Sequence, residues 1–285
     1  MLADGGALAT FDKWLELNGL SSEFVKGERI PGFGLSMTCP NGAKTGDKLL
    51  SVPASYHITP TGVRASPIGQ AVADVIDDED TSAQLALGLL AELAKGESGP
   101  FWAYLSVLPD ADDMAGLPLL WDDAERQKLF RGSHMDAQVE QARAGLLNQW
   151  RVIDEHTRAS GKLELFPPEV FNAPGYLWAH AIVLTRGLPF GGEEHLIPFL
   201  DLANHKKGSK HTCSIGVKGD AGLAIVTDEE QLEGKQAVAV LTAGSDLEPG
   251  EQTFIDYGEA VSAVNESRTP AGHSTASADG VTSVC

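Results

Sequence analysis

The stretch His195–Cys213, HLIPFLDLANHKKGSKHTC, decides how the rest of the chain is to be read. An apolar run closes on Asp201, Asn204 and His205, and lysines, a further histidine and a cysteine follow. Three readings compete: a metal site, a catalytic-histidine site, or a segment valued for its backbone shape. Zinc would draw on His195, His205, His211 and Cys213, yet their spacing matches no closed-site pattern and no cysteine pair anchors one. A Ser–His–Asp hydrolase wants its nucleophile on a glycine-flanked turn, and no G-x-S-x-G occurs in the chain. His57 and His180 read as packing or surface residues.

The whole chain narrows the choice further. Its 285 residues are enough for one large domain or two small ones. A net charge of −19 repels phosphate backbones and anionic lipid, which argues against nucleic-acid and membrane-surface binding. It favours approach of a basic partner, although an acidic surface such as Asp77–Asp80 also serves solubility alone. No apolar run approaches the roughly 20 residues that span a bilayer, and no targeting pattern opens the chain. Cys39, Cys213 and Cys285 are few, odd in number and far apart, which fits a reducing compartment rather than a disulfide framework.

Along the chain, a short amphipathic opening (FDKWLELNGL) precedes a glycine turn, IPGFGLSM, and a strand, DKLLSVP, stopped at Pro53. The middle reads as helix. In DTSAQLALGLLAELAKG, Thr81 or Ser82 is expected to cap the start and Gly96 to end it, with Leu85, Leu89 and Leu93 on one face and Leu90 beside them. In MDAQVEQARAGLLNQWRVIDEHTR, Val139, Ala142, Leu146, Trp150 and Ile153 recur at helical spacing. A further helix begins near Pro174. Short strands return after Leu196 (CSIGV, GLAIVT, QAVAVLT, QTFIDY), and the Ser/Thr/Ala/Gly-rich end is expected to be disordered. Strands, a helical block and strands again describe either one domain with a helical insertion or two domains.

Taken together, the order GFGL, DLANH and PGEQTFIDYG resembles the SET-domain protein methyltransferases, in the branch of the Rubisco large-subunit lysine methyltransferase and the actin-histidine methyltransferase. LTRGLPF is similar to that branch's SR-x-F segment, and KLLSVPASYHITP to its VP strand. The resemblance implies an α+β fold of short strands in small sheets with a knot-like crossing. Its two halves, residues 8–56 and 176–259, are interrupted by a helical insertion at 57–175, and a low-complexity tail occupies 260–285.

The resemblance also implies S-adenosyl-L-methionine as cofactor, held by Gly32, Phe33, Gly34, Asn204, His205 and Tyr257. Tyr257 matches the catalytic tyrosine. Main-chain carbonyls around Thr185, Arg186 and Asp201 would face the target amine, Arg186 would help close the site, and no metal is required. The implied activity is protein N-methyl transfer, to a lysine of a non-histone protein or alternatively to a histidine, by a monomer in chloroplast or cytoplasm. Two departures stand out. Pro31 replaces the acidic residue that usually precedes the glycine turn, and the SNAEL and YGF segments expected after Tyr257 are missing from the sequence. The second departure leaves open a C-terminally truncated, inactive module that binds cofactor or protein.

Overall fold

The computed structural model describes residues 4–219, 222–225 and 236–257. The expected disordered tail lies outside the described residues. The chain divides into two compact units, one of residues 1–19 and 56–201, the other of residues 20–55 and 202–285.

The second unit is built of short strands. Strands β1 (Lys26–Ile30) and β2 (Gly34–Cys39) form a hairpin. Its turn is set by Pro31 and Gly32: the Phe33 N–H donates to the Ile30 carbonyl at 3.0 Å, and Gly32 takes φ 83°. Proline at the second position and a positive φ at the third are the requirements of a type II turn. Pro31 therefore has a local task, pre-setting the backbone of the glycine bend.

Strand β3 (Lys48–Pro53) joins β9 (Ala237–Thr242), β7 (Thr212–Gly219) and β8 (Gly222–Ile225) in a four-stranded sheet of order β3-β9-β7-β8, all pairs antiparallel. Leu49, Val52, Val240 and Leu241 bury fully within this unit, as do Met37 and Cys39 of β2. Cys39 and Cys213 are both buried.

QTFIDY, expected as one strand, is two. Strand β10 (Glu251–Gln252) pairs antiparallel with Cys39 and Thr38 of β2. Strand β11 (Phe254–Ile255) pairs in parallel with β6 (Asn204–His205). The switch falls at Thr253, wholly buried, whose N–H still reaches the Met37 carbonyl at 2.9 Å. Alternation along the sequence reports a strand but not which sheet receives it.

The first unit is helical: α1 (Asp4–Leu17), α2 (Pro60–Ala65), α3 (Pro67–Val72), α4 (Thr81–Ala94), α5 (Trp102–Leu105), α6 (Asp123–Phe130), α7 (His134–Ala159) and α8 (Ala173–Arg186). The hairpin β4 (Gly187–Phe190) and β5 (Glu193–Leu196) follows α8.

The centre of the helical unit is α4. Every residue from Ala83 to Leu90 is buried, so the helix is covered on all sides rather than on the single leucine face expected, and Leu93 is only half-buried. A Cβ at Gly88 would lie 2.3 Å from Cγ2 of Val63, so glycine here lets α4 and α2 approach closely. The cap is Asp80, not Thr81 or Ser82. Its backbone is non-helical, as a cap requires, and its Oδ1 accepts the Ala83 N–H at 3.0 Å. The other carboxylate oxygen accepts from Gln149 Nε2 at 2.7 Å, and Gln149 Oε1 accepts from the Tyr176 hydroxyl at 2.9 Å, tying α4, α7 and α8 together.

Helix α7 buries its stripe only from Trp150 onward; Val139 is half-buried and Ala142 exposed. Its first turns meet α6 through charge instead. The buried Arg126 guanidinium lies 3.4 Å from Asp123 and from Asp136, and 3.6 Å from Glu140. Periodicity located the helix, whereas the ion cluster decided how its first half is held.

Asp80→Ala removes the α4 cap and the Gln149 partner together. It is expected to cost about 1–2 kcal/mol, read as a lower urea midpoint with an unchanged slope.

Candidate functional site

The strand unit gathers the glycine bend, the Asn204–His205 pair and Tyr257. The gathering agent is the β6–β11 pairing: Phe254 lies opposite Asn204 and Ile255 opposite His205, and the Lys206 N–H continues the ladder to the Ile255 carbonyl at 3.0 Å. The loop after β6 is pinned to the same strand. Ser209 Oγ donates to the Phe254 carbonyl at 2.8 Å, and the Gly208 N–H donates to Asp256 Oδ2 at 2.6 Å.

Tyr257 leaves this crossing with two fixed bonds. Its N–H donates to His205 Nδ1 at 3.1 Å, which makes that ring nitrogen an acceptor and commits the imidazole to a structural duty. Its phenol donates to the Ala203 carbonyl at 2.9 Å, and its ring lies 5.2 Å from the His205 ring. The phenol thus spends its proton on backbone.

Ser36 connects this crossing to the glycine bend, and nothing in the sequence reading singled it out. Asn204 Nδ2 donates to Ser36 Oγ at 2.8 Å, while that hydroxyl lies 3.4 Å from both the Phe33 and Gly34 carbonyls. The serine is wholly buried. Only its position in β2, pointing inward beside the bend, gives it this role, and a lone serine in a short strand carries no sequence signal of it. Gly32 and Gly34 hold φ values of 83° and 70°, and a Cβ on either would meet open space. Phe33 stays 55% exposed, its ring edge toward Phe254 at 6.4 Å. The Lys206 ammonium sits 5.3 Å above the Phe254 ring.

The helical unit gathers the other sequence-selected residues. Arg186 Nη1 donates to the Asp201 carbonyl at 3.2 Å and lies 3.4 Å from its carboxylate. The Tyr104 hydroxyl donates to that carboxylate at 2.7 Å. Burial raises the Asp201 carboxyl above the usual carboxylate range, against the opposing pull of Arg186 and of the Tyr104 hydrogen bond. Thr185 turns its hydroxyl back to the Ala181 carbonyl at 2.8 Å.

Among the described residues, no three His, Cys, Asp or Glu side chains come together as a metal site. Each zinc candidate has another occupation. His211 Nδ1 accepts the Gly244 N–H at 3.3 Å, and Cys213 is buried in β7 opposite Leu241. His195 is buried with its Nδ1 3.1 Å from Nδ1 of His57, a pairing invisible in a sequence that separates them by 138 positions. Phe190 packs against both rings, and the backbones pair at Ile58 and Leu196. No described helix is long and apolar enough to cross a membrane.

No protein-family model matches the chain. It is 26% identical over 254 residues to the chloroplastic ribulose-1,5 bisphosphate carboxylase/oxygenase large subunit N-methyltransferase of Nicotiana tabacum, a match covering 87% of this chain and 47% of that protein. It is 22% identical over 250 residues to the N-lysine methyltransferase SETD6 of Mus musculus, covering 82% and 50%. Among solved structures, the SET domain of LSMT bound to lysine and AdoHcy superposes with a TM-score of 0.73 at 24% identity, over 90% of this chain and 54% of that one. Rubisco LSMT bound to AdoMet gives 0.70 at 23% identity, over 91% and 55%.

The architecture is therefore the α+β SET fold expected from the order of the motifs. Within that class, the chain resembles the Rubisco large-subunit methyltransferase branch in sequence as well as fold. It spans about half the length of the curated relatives it matches.

The His57–His195 pair makes stability pH-dependent. Burial, only partly offset by Glu193, holds the His195 imidazole below its ordinary value, so the unfolded chain takes up this proton first as pH falls. The stabilisation is complete above about pH 6.5 and declines as pH drops below that toward the folded value. The urea midpoint should hold between about pH 8 and 7 and fall between about 6.5 and 5.5, with a shallower fall in His195→Gln. Equal falls in the two proteins would refute the assignment.

Proposed function

We propose that the chain is a protein N-methyltransferase that uses S-adenosyl-L-methionine and acts on lysine. The observation that carries this reading is the convergence, in one unit, of the open glycine bend, Asn204 and Tyr257 through Ser36 and the β6–β11 pairing. The relatives point the same way: one is an N-methyltransferase of the Rubisco large subunit, another is an N-lysine methyltransferase, and solved neighbours hold AdoMet or AdoHcy.

The residues present fit that cofactor. The space where Gly32 and Gly34 lack a Cβ lets a ligand approach the backbone. Beside it, Ser36 Oγ lies near the Phe33 and Gly34 carbonyls and holds the Asn204 side-chain amide. Phe33 and Phe254 offer ring surface beside the bend. Bound there, S-adenosyl-L-methionine would supply a methyl group on a sulfonium.

The chain's own task is alignment and dehydration. A lysine in water has a pKa of about 10.4 and is almost wholly protonated near neutrality. Removal from water lowers that value, because burial penalises the charged form. The Tyr257 oxygen, held in place by the bond to Ala203, sets the reacting geometry; displacement at carbon is steeply sensitive to alignment. Asn204, held by Ser36, keeps the glycine bend and the β6–β11 crossing in register.

Two measurements test the reading. Labelled S-adenosyl-L-methionine, incubated with the chain and an extract of cells lacking it, should label protein lysines identified by mass spectrometry, and Tyr257→Phe should lower the rate at least about tenfold. Equal labelling by the two proteins would remove Tyr257 from the reaction, and label on histidine would change the acceptor. By calorimetry, Ser36→Ala should weaken cofactor binding about five- to tenfold, since Asn204 loses its partner.

A further inference from the structure

One atom of the strand unit has two partners in reach and can serve only one of them. His205 Nδ1 accepts the Tyr257 N–H at 3.1 Å, and Asp256 Oδ1 stands 3.9 Å from the same nitrogen. A ring nitrogen without hydrogen is an acceptor; with one it is a donor. The bond to Tyr257 therefore belongs to the neutral imidazole whose proton sits on Nε2. A proton taken up at Nδ1 ends that bond, since two N–H groups would then face each other. It also gives the nitrogen a hydrogen to offer the carboxylate, as a charge-assisted bond.

The surroundings let this exchange occur within the fold. The main chain of His205 stays fixed by its pairing with Ile255 and by the Lys206 N–H on the Ile255 carbonyl. Asp256 is fixed as well, because its other oxygen accepts the Gly208 N–H at 2.6 Å. Only the ring has to turn. The imidazole keeps 40% of its side chain in solvent and the carboxylate 32%, so the proton comes from water and returns to it. The titratable groups beside the ring are Asp256 and Tyr257, whose ring lies 5.2 Å away. Lys206, next in the chain, holds its ammonium over the Phe254 ring, and Lys207 and Lys210 of the same loop are exposed.

We propose that His205 is a positioning residue for Tyr257 and works as a proton-operated catch: without a proton on Nδ1 it holds the Tyr257 main chain, and with one it turns to Asp256 and lets that main chain go. The released tyrosine keeps its phenol on the Ala203 carbonyl but loses the bond that fixes its backbone. The consequence for turnover rests on the methyltransferase reading above, in which Tyr257 sets the reacting geometry. The catch itself rests on contacts inside the strand unit alone.

NMR titration of the full chain, labelled with nitrogen-15, tests it. The His205 ring nitrogens and the Tyr257 amide should move with one shared midpoint. On the acid side, hydrogen exchange at Tyr257, corrected for its intrinsic pH dependence, should quicken about two- to tenfold. Asp256→Asn keeps an oxygen for the Gly208 N–H and removes the charge, so it should carry the shared midpoint to lower pH. His205→Gln cannot titrate and should abolish the Tyr257 step. A Tyr257 amide that ignores the His205 midpoint, a step that survives in His205→Gln, or a midpoint indifferent to Asp256→Asn overturns the proposal. In a chain that turns over, kcat should fall as His205 takes its proton, and that fall should move to lower pH in Asp256→Asn; a kcat profile without this shift overturns the positioning role. Absence of turnover overturns the methyltransferase reading instead, and the amide titration then decides the catch.

Discussion

The strand unit depends on one short interaction, the parallel pairing of Asn204–His205 with Phe254–Ile255. Two residues on each side give few ladder bonds, and parallel pairs are slightly weaker per residue than antiparallel ones. The crossing is therefore reinforced from outside the ladder. Ser209 and Gly208 bind the strand that carries Tyr257, and the imidazole of His205 accepts the Tyr257 N–H. A histidine that invites a catalytic reading turns out to be a backbone acceptor. Each bond shortens the freedom of one phenol whose placement the proposed chemistry needs.

The helical unit solves a different problem. Its helix α4 is buried on every face from Ala83 to Leu90, and short helices and loops must cover that stretch. Apolar burial supplies the general attraction, while polar contacts choose the arrangement. Asp80, Gln149 and Tyr176 form a chain of hydrogen bonds that only one packing of α4, α7 and α8 satisfies. Arg126 does the same for α6 and α7, where apolar contact is thin. Unsatisfied buried polar groups are costly, so such contacts select among packings of similar apolar area.

Burial of ionisable groups recurs where the chain departs from simple packing. His57 and His195 share a buried contact in the helical unit, and Asp201 lies beneath Tyr104 and Arg186. Low local polarity makes each partner matter more, since an unpaired group there cannot turn to water. Pro31 shows the opposite economy: a side chain without charge or N–H contributes the backbone angle of the turn.

How much of this was legible follows the range of the forces involved. Helices α4, α7 and α8, the glycine bend and the β7–β9 strands are written in local spacing, because periodicity and backbone preference act over a few residues. The order of three motifs sufficed for the SET architecture and for Gly32–Gly34, Asn204 and Tyr257 as its candidate site. What lay beyond reach were contacts between distant positions: Ser36 with Asn204, His57 with His195, Tyr104 with Asp201, and the split of QTFIDY at Thr253. A serine, a histidine or a tyrosine in these places looks like any other until the fold brings its partner within hydrogen-bond distance. Local sequence determined the elements and their order; tertiary structure alone decided which polar atoms meet, because such bonds act over about 3 Å and carry no trace along the chain.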